Sequence, residues 1–149
     1  MKGLSLQGGR LVVLERDHLQ QLLDILGKRG YRVVGPTLRD RAIMYDDLAS
    51  VADLPVGWTD EQHGGSYHLR RRNDGALFGY ALGPDSWKKF LHPPVVRLWR
   101  AKTGGNGFRI IEEDEEVAKF AFVGVRPCEI HAIAIQDKVF LNGNYRDPM

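Results

Sequence analysis

The chain has 149 residues, 43% hydrophobic and 27% charged, a balance that supports one folded core and excludes wholesale disorder. Its 21 basic against 19 acidic residues leave a formal net charge of +2, without the basic excess of a dedicated nucleic-acid binder. No stretch reaches the ~20 apolar residues of a membrane-spanning helix, the N-terminus carries no leader pattern, and a cytoplasmic location is expected. The single cysteine, Cys128, excludes an intrachain disulfide framework and any complete metal site made of this chain's cysteines.

In chain order, "RLVVLE" predicts a short strand near 11–15. In "RDHLQQLLDILGKRG", Leu19, Leu22, Leu23 and Leu26 recur at the spacing of one helical face, so a helix is predicted over 17–28. Asp17 suits its N-cap, with Gln20 three residues on as in a capping box, and Gly27 or Gly30 suits its end. "YRVVGP" predicts a strand over 31–35 that Gly35-Pro36 closes. This strand–helix–strand start lacks a Gly-x-Gly-x-x-Gly turn, so a dinucleotide fingerprint is absent.

The stretch "ASVADLPVGWTDEQHGG" has no clear period and reads as a loop with at most a helical turn. Asn73-Asp74-Gly75 between "SYHLRRR" and "ALFGYAL" signals a hairpin, giving strands near 67–72 and 76–82. "GPDSWKKFLHPP" predicts a short helix over 84–91, stopped by Pro93-Pro94. A second hairpin follows, 95–101 with 108–112, joined by a Gly-rich turn from Thr103 to Gly107. Then comes a nearly continuous apolar strand near 118–124, suited to being covered on both faces, and a helix over 127–140 opened by Pro127 and stopped at Gly143. The expected fold is therefore α+β (mixed α/β): a single domain over 1–149 with antiparallel hairpins and a C-terminal strand–helix unit.

Several features look like sites and have a plainer reading. The histidines at 18, 63, 68, 92 and 131 show no metal-ligand spacing. Arg70, Arg71 and Arg72 alternate sides on a strand, so they read as a solvated edge, not one phosphate-binding patch. The acidic run Glu112 to Glu116 reads as a solvated turn, and Trp58, Trp87 and Trp99 as packing residues. Ser66 and Ser86 lack a nucleophile-elbow context.

Cys128 is different. In the first turn of the last helix a thiol meets free backbone N–H groups and the positive end of the dipole, with Arg126 beside it; all three favour thiolate. The competing reading is a small, inert, buried cysteine. The helix itself is apolar on more than one side, through Ile130, Ile133, Ala134 and Ile135, which predicts a docking element.

"FVGVRPCEIHAIAIQDKVFLNGNYRDP" resembles the Gly-Val-Arg-Pro-Cys-(Asp/Glu) segment of the β-subunit family of cytoplasmic sulfhydrogenases, which includes the A subunit of anaerobic sulfite reductase. "GYRVVGPTLRDRAIMYDDL", "LPVGWTDEQ" and "LRRRNDGALFGYALGPDSWKKFLHPP" are similar to its N-terminal region, so the resemblance runs from about Gly30 onward. It implies an iron–sulfur electron-transfer subunit in a hydrogenase or sulfite-reductase complex. Cys128 would be one ligand of a 4Fe-4S cluster, Arg126 a charge neighbour, and Gly124 a point of close backbone approach to the cluster. His131, three residues on, would border the site or simply be solvated. Family members are longer and carry further cysteines, so this chain is expected to be the N-terminal part of a larger subunit and to hold no cluster alone. The implied partners are other subunits of such a complex, with no nucleic acid and no membrane span. Two other readings stay open: a redox-sensing or nucleophilic cysteine protein using Cys128, with His131 or His68 as nominal base, and a non-catalytic docking scaffold.

Overall fold

The computed structural model describes residues 13–83, 85–95, 97, 99–105, 107–112 and 118–142. The fold is mixed α+β. Helix α1 is Leu19–Lys28, preceded by a 3-10 turn at Arg16–His18. Strands β1 (Tyr31–Arg39) and β2 (Ala42–Asp47) form a hairpin, and a 3-10 turn at Val51–Asp53 leads to a second hairpin, β3 (Trp58–His63) and β4 (Ser66–Arg71). Helix α2 is Lys88–Leu91, β5 is Trp99–Gly104, β6 is Gly107–Glu112, β7 is Lys119–Phe122 and α3 is Pro127–Phe140.

One sheet organises the molecule, in the order β2-β1-β7. β1 pairs antiparallel with β2 and parallel with β7, which makes it the central strand. Successive side chains of a strand face opposite ways, so this sheet has two cores. On one face Val33 meets Leu19 and Leu23 of α1, Leu48 and Leu54, with Ala121 and Val123 packed against them. On the other face Val34, Tyr45 and Trp87 pack with Phe90, Phe120, Phe122 and, from α3, Ala132 and Ile133. β7 thus sends alternate side chains into both cores, as its apolar run predicts.

The α3 helix, β7 and the β5–β6 hairpin lie close to where the residue patterns put them. Other expectations are corrected. Residues 13–15 are in no strand, while 11 and 12 lie outside the described residues. Asp17 does not cap α1: the helix starts at Leu19 with His18 at its N-cap and no side-chain cap bond. Gln20 instead bonds Asp24 at 2.8 Å and accepts from the Val51 N–H at 2.9 Å, tying α1 to the turn after β2. Leu22 is 39% exposed, off the buried face that Leu19 and Leu23 define.

β1 does not stop at Gly35-Pro36. It runs to Arg39 and turns at Asp40 and Arg41, both at positive φ (45° and 61°), the sign a tight two-residue hairpin requires. Pro36 is tolerated because β7 pairs only with Tyr31 to Val34, so no ladder bond is asked of the missing N–H. Gly35 lets the buried Leu48 side chain pack directly over the backbone, since a Cβ there would sit 2.8 Å from Leu48 Cδ2.

The polar stretch 58–63, expected as loop, is a strand. It pairs with β4 through Gly64 and Gly65, the latter at φ 75°. Residues 76–82, expected as the partner of β4, form no strand. That segment is pinned irregularly: the Ala81 N–H donates to Asp60, the Gly83 N–H to the Ile43 carbonyl at 2.9 Å, and the Arg72 guanidinium to the Gly79 carbonyl. The helix expected over 84–91 is only Lys88–Leu91, with Pro84 outside the described residues. The strand expected over 95–101 is Trp99–Gly104, positions 96 and 98 being undescribed, and β7 is shorter than 118–124. Gly143, expected to stop α3, also lies outside the described residues; Leu141 is the C-cap.

Candidate functional site

The turn from β7 into α3 carries Gly124, Arg126 and Cys128. Gly124 has φ 77°, a left-handed conformation that favours glycine, and its missing Cβ leaves room for the Phe78 ring. A Cβ there would approach Phe78 Cε1 to 2.9 Å and Pro36 Cδ to 3.3 Å. The close approach at Gly124 is therefore made by this chain's own side chains.

Arg126 is the N-cap residue, in extended conformation, with Pro127 beginning the helix and Cys128 next. Glu129 folds back: its Oε2 accepts from the Arg126 backbone N–H at 2.8 Å, the returning half of a capping box. The same oxygen accepts from the Tyr45 hydroxyl at 2.9 Å. The Arg126 guanidinium donates to the Tyr80 carbonyl. The first turn of α3 is thus tied to β2 by Tyr45–Glu129 and to the 76–83 segment by Arg126–Tyr80.

Both tyrosines are buried and both phenols are pushed well above the ordinary value. For Tyr45 burial is the larger cause, with the Glu129 hydrogen bond and negative charge adding to it. For Tyr80 burial alone raises it, opposed by the Arg126 charge. The Tyr80 hydroxyl has no hydrogen-bond partner among the described residues.

Cys128 is a free thiol exposed to solvent, not the buried inert residue of the competing reading. Ile135 and Val139 lie seven and eleven positions after it, on the same side of the helix, and are 60% and 64% exposed. Ile130, on the other flank, is 56% exposed, whereas Ile133 packs into the core. His131 is exposed.

The remaining sequence features are dispersed. Arg70 pairs with Glu61, Arg71 lies over the Trp58 ring at 3.7 Å, and Arg72 pairs with Asp74, so the three arginines serve separate local contacts. His92 Nε2 lies 2.9 Å from Gln136 Oε1 on α3. Trp87 is buried, but Trp99 is 57% exposed and belongs to neither core cluster among the described residues. Of the acidic run, 113–116 lie outside the described residues.

Among the described residues no group of three or more His, Cys, Asp or Glu converges to hold a metal ion. An iron–sulfur cluster uses about four protein ligands. These residues fit that group as the source of one thiolate and not as a complete site. Among the described residues no helix is long and apolar enough to cross a membrane. No family model, curated protein or solved structure matches the chain.

Sequence reasoning found Gly124, Arg126 and Cys128 because they form one local pattern. It missed Tyr45 and Tyr80, whose contacts to the turn span 84 and 46 residues. The only available signal was an aromatic in each of two stretches without a clear helical period.

Proposed function

We propose that this chain is the N-terminal domain of an iron–sulfur electron-transfer subunit in a hydrogenase- or sulfite-reductase-type complex. Cys128 supplies one thiolate to a 4Fe-4S cluster whose other ligands come from outside these 149 residues. Gly124 and Arg126 belong to the same turn: Gly124 lets the chain reverse, and Arg126 anchors the helix start. The observation that carries this reading is an exposed thiol in the first turn of a helix whose start is fixed by two long-range contacts. A helix start orients N–H groups and a positive partial charge towards a thiolate, which suits a soft metal ligand. The resemblance of the Val-Arg-Pro-Cys segment supports the class of metal group. The apolar flank of Ile135 and Val139 beside Cys128 supports presentation of the thiol at an interface with another subunit. No bond-making chemistry is assigned to this chain; electron transfer is the function of the group when bound.

The test is anaerobic reconstitution of the assembled complex as wild type and as Cys128→Ser, followed by iron counting and electron paramagnetic resonance. Loss of iron or a changed cluster signal is expected in the variant, because a serine hydroxyl is a poor substitute for thiolate on iron. Unchanged iron and an unchanged spectrum would remove Cys128 as a ligand. The redox-thiol reading is favoured by the same exposure, and it alone predicts fast alkylation of Cys128 in a complex that binds no iron.

A further inference from the structure

The β5–β6 hairpin carries a surface that water alone does not satisfy. Directly opposed residues of an antiparallel pair share a face. Here Trp99 opposes Glu112, Ala101 opposes Ile110 and Thr103 opposes Phe108, so these positions share one face, which is aromatic and aliphatic at Trp99, Phe108 and Ile110 and acidic only at its Glu112 end. On the opposite face Lys102 stands directly across from Arg109. Trp99, Ile110 and Phe108 are 57%, 56% and 71% exposed, and Lys102 and Arg109 are exposed as well. Neither cation has an ion-pair partner among the described residues.

A two-stranded hairpin is marginal in water by itself. This one adds two penalties, a largely exposed aromatic face and like charges directly across the ladder, and each destabilises the free arm. A surface that supplies apolar contact on one side and negative charge on the other relieves both.

We propose that the β5–β6 hairpin is a docking arm that enters a slot on a partner protein, with an apolar wall against Trp99, Phe108 and Ile110 and an acidic wall against Lys102 and Arg109. The two-faced chemistry favours a protein slot over single-stranded nucleic acid. A bound strand needs aromatic stacking and phosphate contacts on one side, and here they lie on opposite sides. It also disfavours a second copy of this chain. Packing two arms by their apolar faces would bury a face of roughly 20 Å by 10 Å per copy. In such a pairing the Lys102–Arg109 pair of each copy would remain uncovered. The arm lies on a different element from Cys128, and this inference does not depend on the iron–sulfur reading.

The test places a photo-crosslinking p-benzoylphenylalanine at Phe108 in the full chain, expressed in its native cells, with the same label at Val13 as a control, since Val13 is 91% exposed. Cross-linked peptides are identified by mass spectrometry. The expected product is one defined peptide of a different protein, apolar and flanked by Asp or Glu. Its yield should fall roughly fivefold or more in Lys102→Glu/Arg109→Glu and be retained in Lys102→Arg/Arg109→Lys, since rim charges act on encounter and register. Urea melting of the variants checks that the fold is kept. Cross-links to this chain's own peptides, cross-links to nucleic acid, a yield indifferent to charge reversal, or a yield no higher than at Val13 would each overturn the proposal. Iron content is a separate readout, so failure here and failure of Cys128 as a ligand are distinguishable.

Discussion

Replacing Tyr45 by Phe tests the network that fixes the first turn of α3. The ring is fully buried, so Phe keeps its packing and no cavity opens. What is lost is the 2.9 Å hydroxyl bond to the Glu129 carboxylate, of a type worth about 1.5–3 kcal/mol. Glu129 keeps the Arg126 N–H, so the loss at neutral pH should be about 1–2 kcal/mol, which lowers Tm by roughly 3–6 °C in a chain of this size. The alkaline limb carries the sharper signature. The Tyr45 phenol is raised in the fold above its ordinary value of 10.0, so its contribution is fully present below pH 10 and is lost as pH rises above that. In that range the unfolded chain gives up a proton that the folded chain keeps, and stability falls by about 1.4 kcal/mol per pH unit for each such tyrosine. Wild type has at least Tyr45 and Tyr80 acting this way, whereas the variant lacks Tyr45. Urea unfolding followed by circular dichroism from pH 7 to 11 should therefore show a gap of about 1–2 kcal/mol that closes by roughly one pH unit above 10. A gap that stays constant across this range, or no gap at pH 7, would refute the assignment of the buried phenol as a donor to Glu129.

Gly124→Ala combines left-handed backbone strain with a Cβ placed 2.9 Å from the Phe78 ring, and should cost about 2–4 kcal/mol in urea unfolding. Phe78 is 45% exposed, so Phe78→Ala in the same chain should relieve the steric part and leave the backbone part. Arg41→Gly should act in the opposite direction. Arg41 holds φ 61° in the β1–β2 turn, and glycine removes that strain, raising stability by about 0.5–1 kcal/mol in the same assay.

Elements set by local pattern were legible in the sequence. α3 follows from Pro127 and its apolar residues, β7 from its apolar run, and the β5–β6 hairpin from its Gly-rich turn. Elements decided by distant partners were not. Gly35-Pro36 carries the local mark of a strand end, but Asp46 and Tyr45 pair across it because the β7 side makes no demand on Pro36. The hairpin mark at Asn73-Asp74-Gly75 failed because β4 was already paired with Trp58 to His63, a polar stretch with no periodic signature. The site divides in the same way: the turn that carries Cys128 is written in consecutive residues, and the groups that hold it in place are not.

The same Pro36 helps to set where Cys128 stands. The Val123 N–H donates to the Val34 carbonyl at 2.8 Å, the last rung between β7 and β1. In a parallel ladder the following rung would run from the nitrogen of residue 36 to the carbonyl of residue 123, and proline has no hydrogen to give. Pairing ends there by covalent structure and not by sequence preference in β7 itself. The chain must then leave the sheet, and Gly124 reverses it at positive φ over the ring of Pro36 and beside Phe78. Arg126 catches the outgoing segment on the Tyr80 carbonyl, and Glu129 catches it on Tyr45, which lies on the α3 side of the sheet. The thiol is therefore placed by a missing donor on β1, a left-handed glycine and two long-range hydrogen bonds. Each of these constrains backbone direction, and none of them occupies the sulfur. That combination, a fixed helix start with a solvent-exposed thiol, is the geometry that the proposed ligand role of Cys128 calls for.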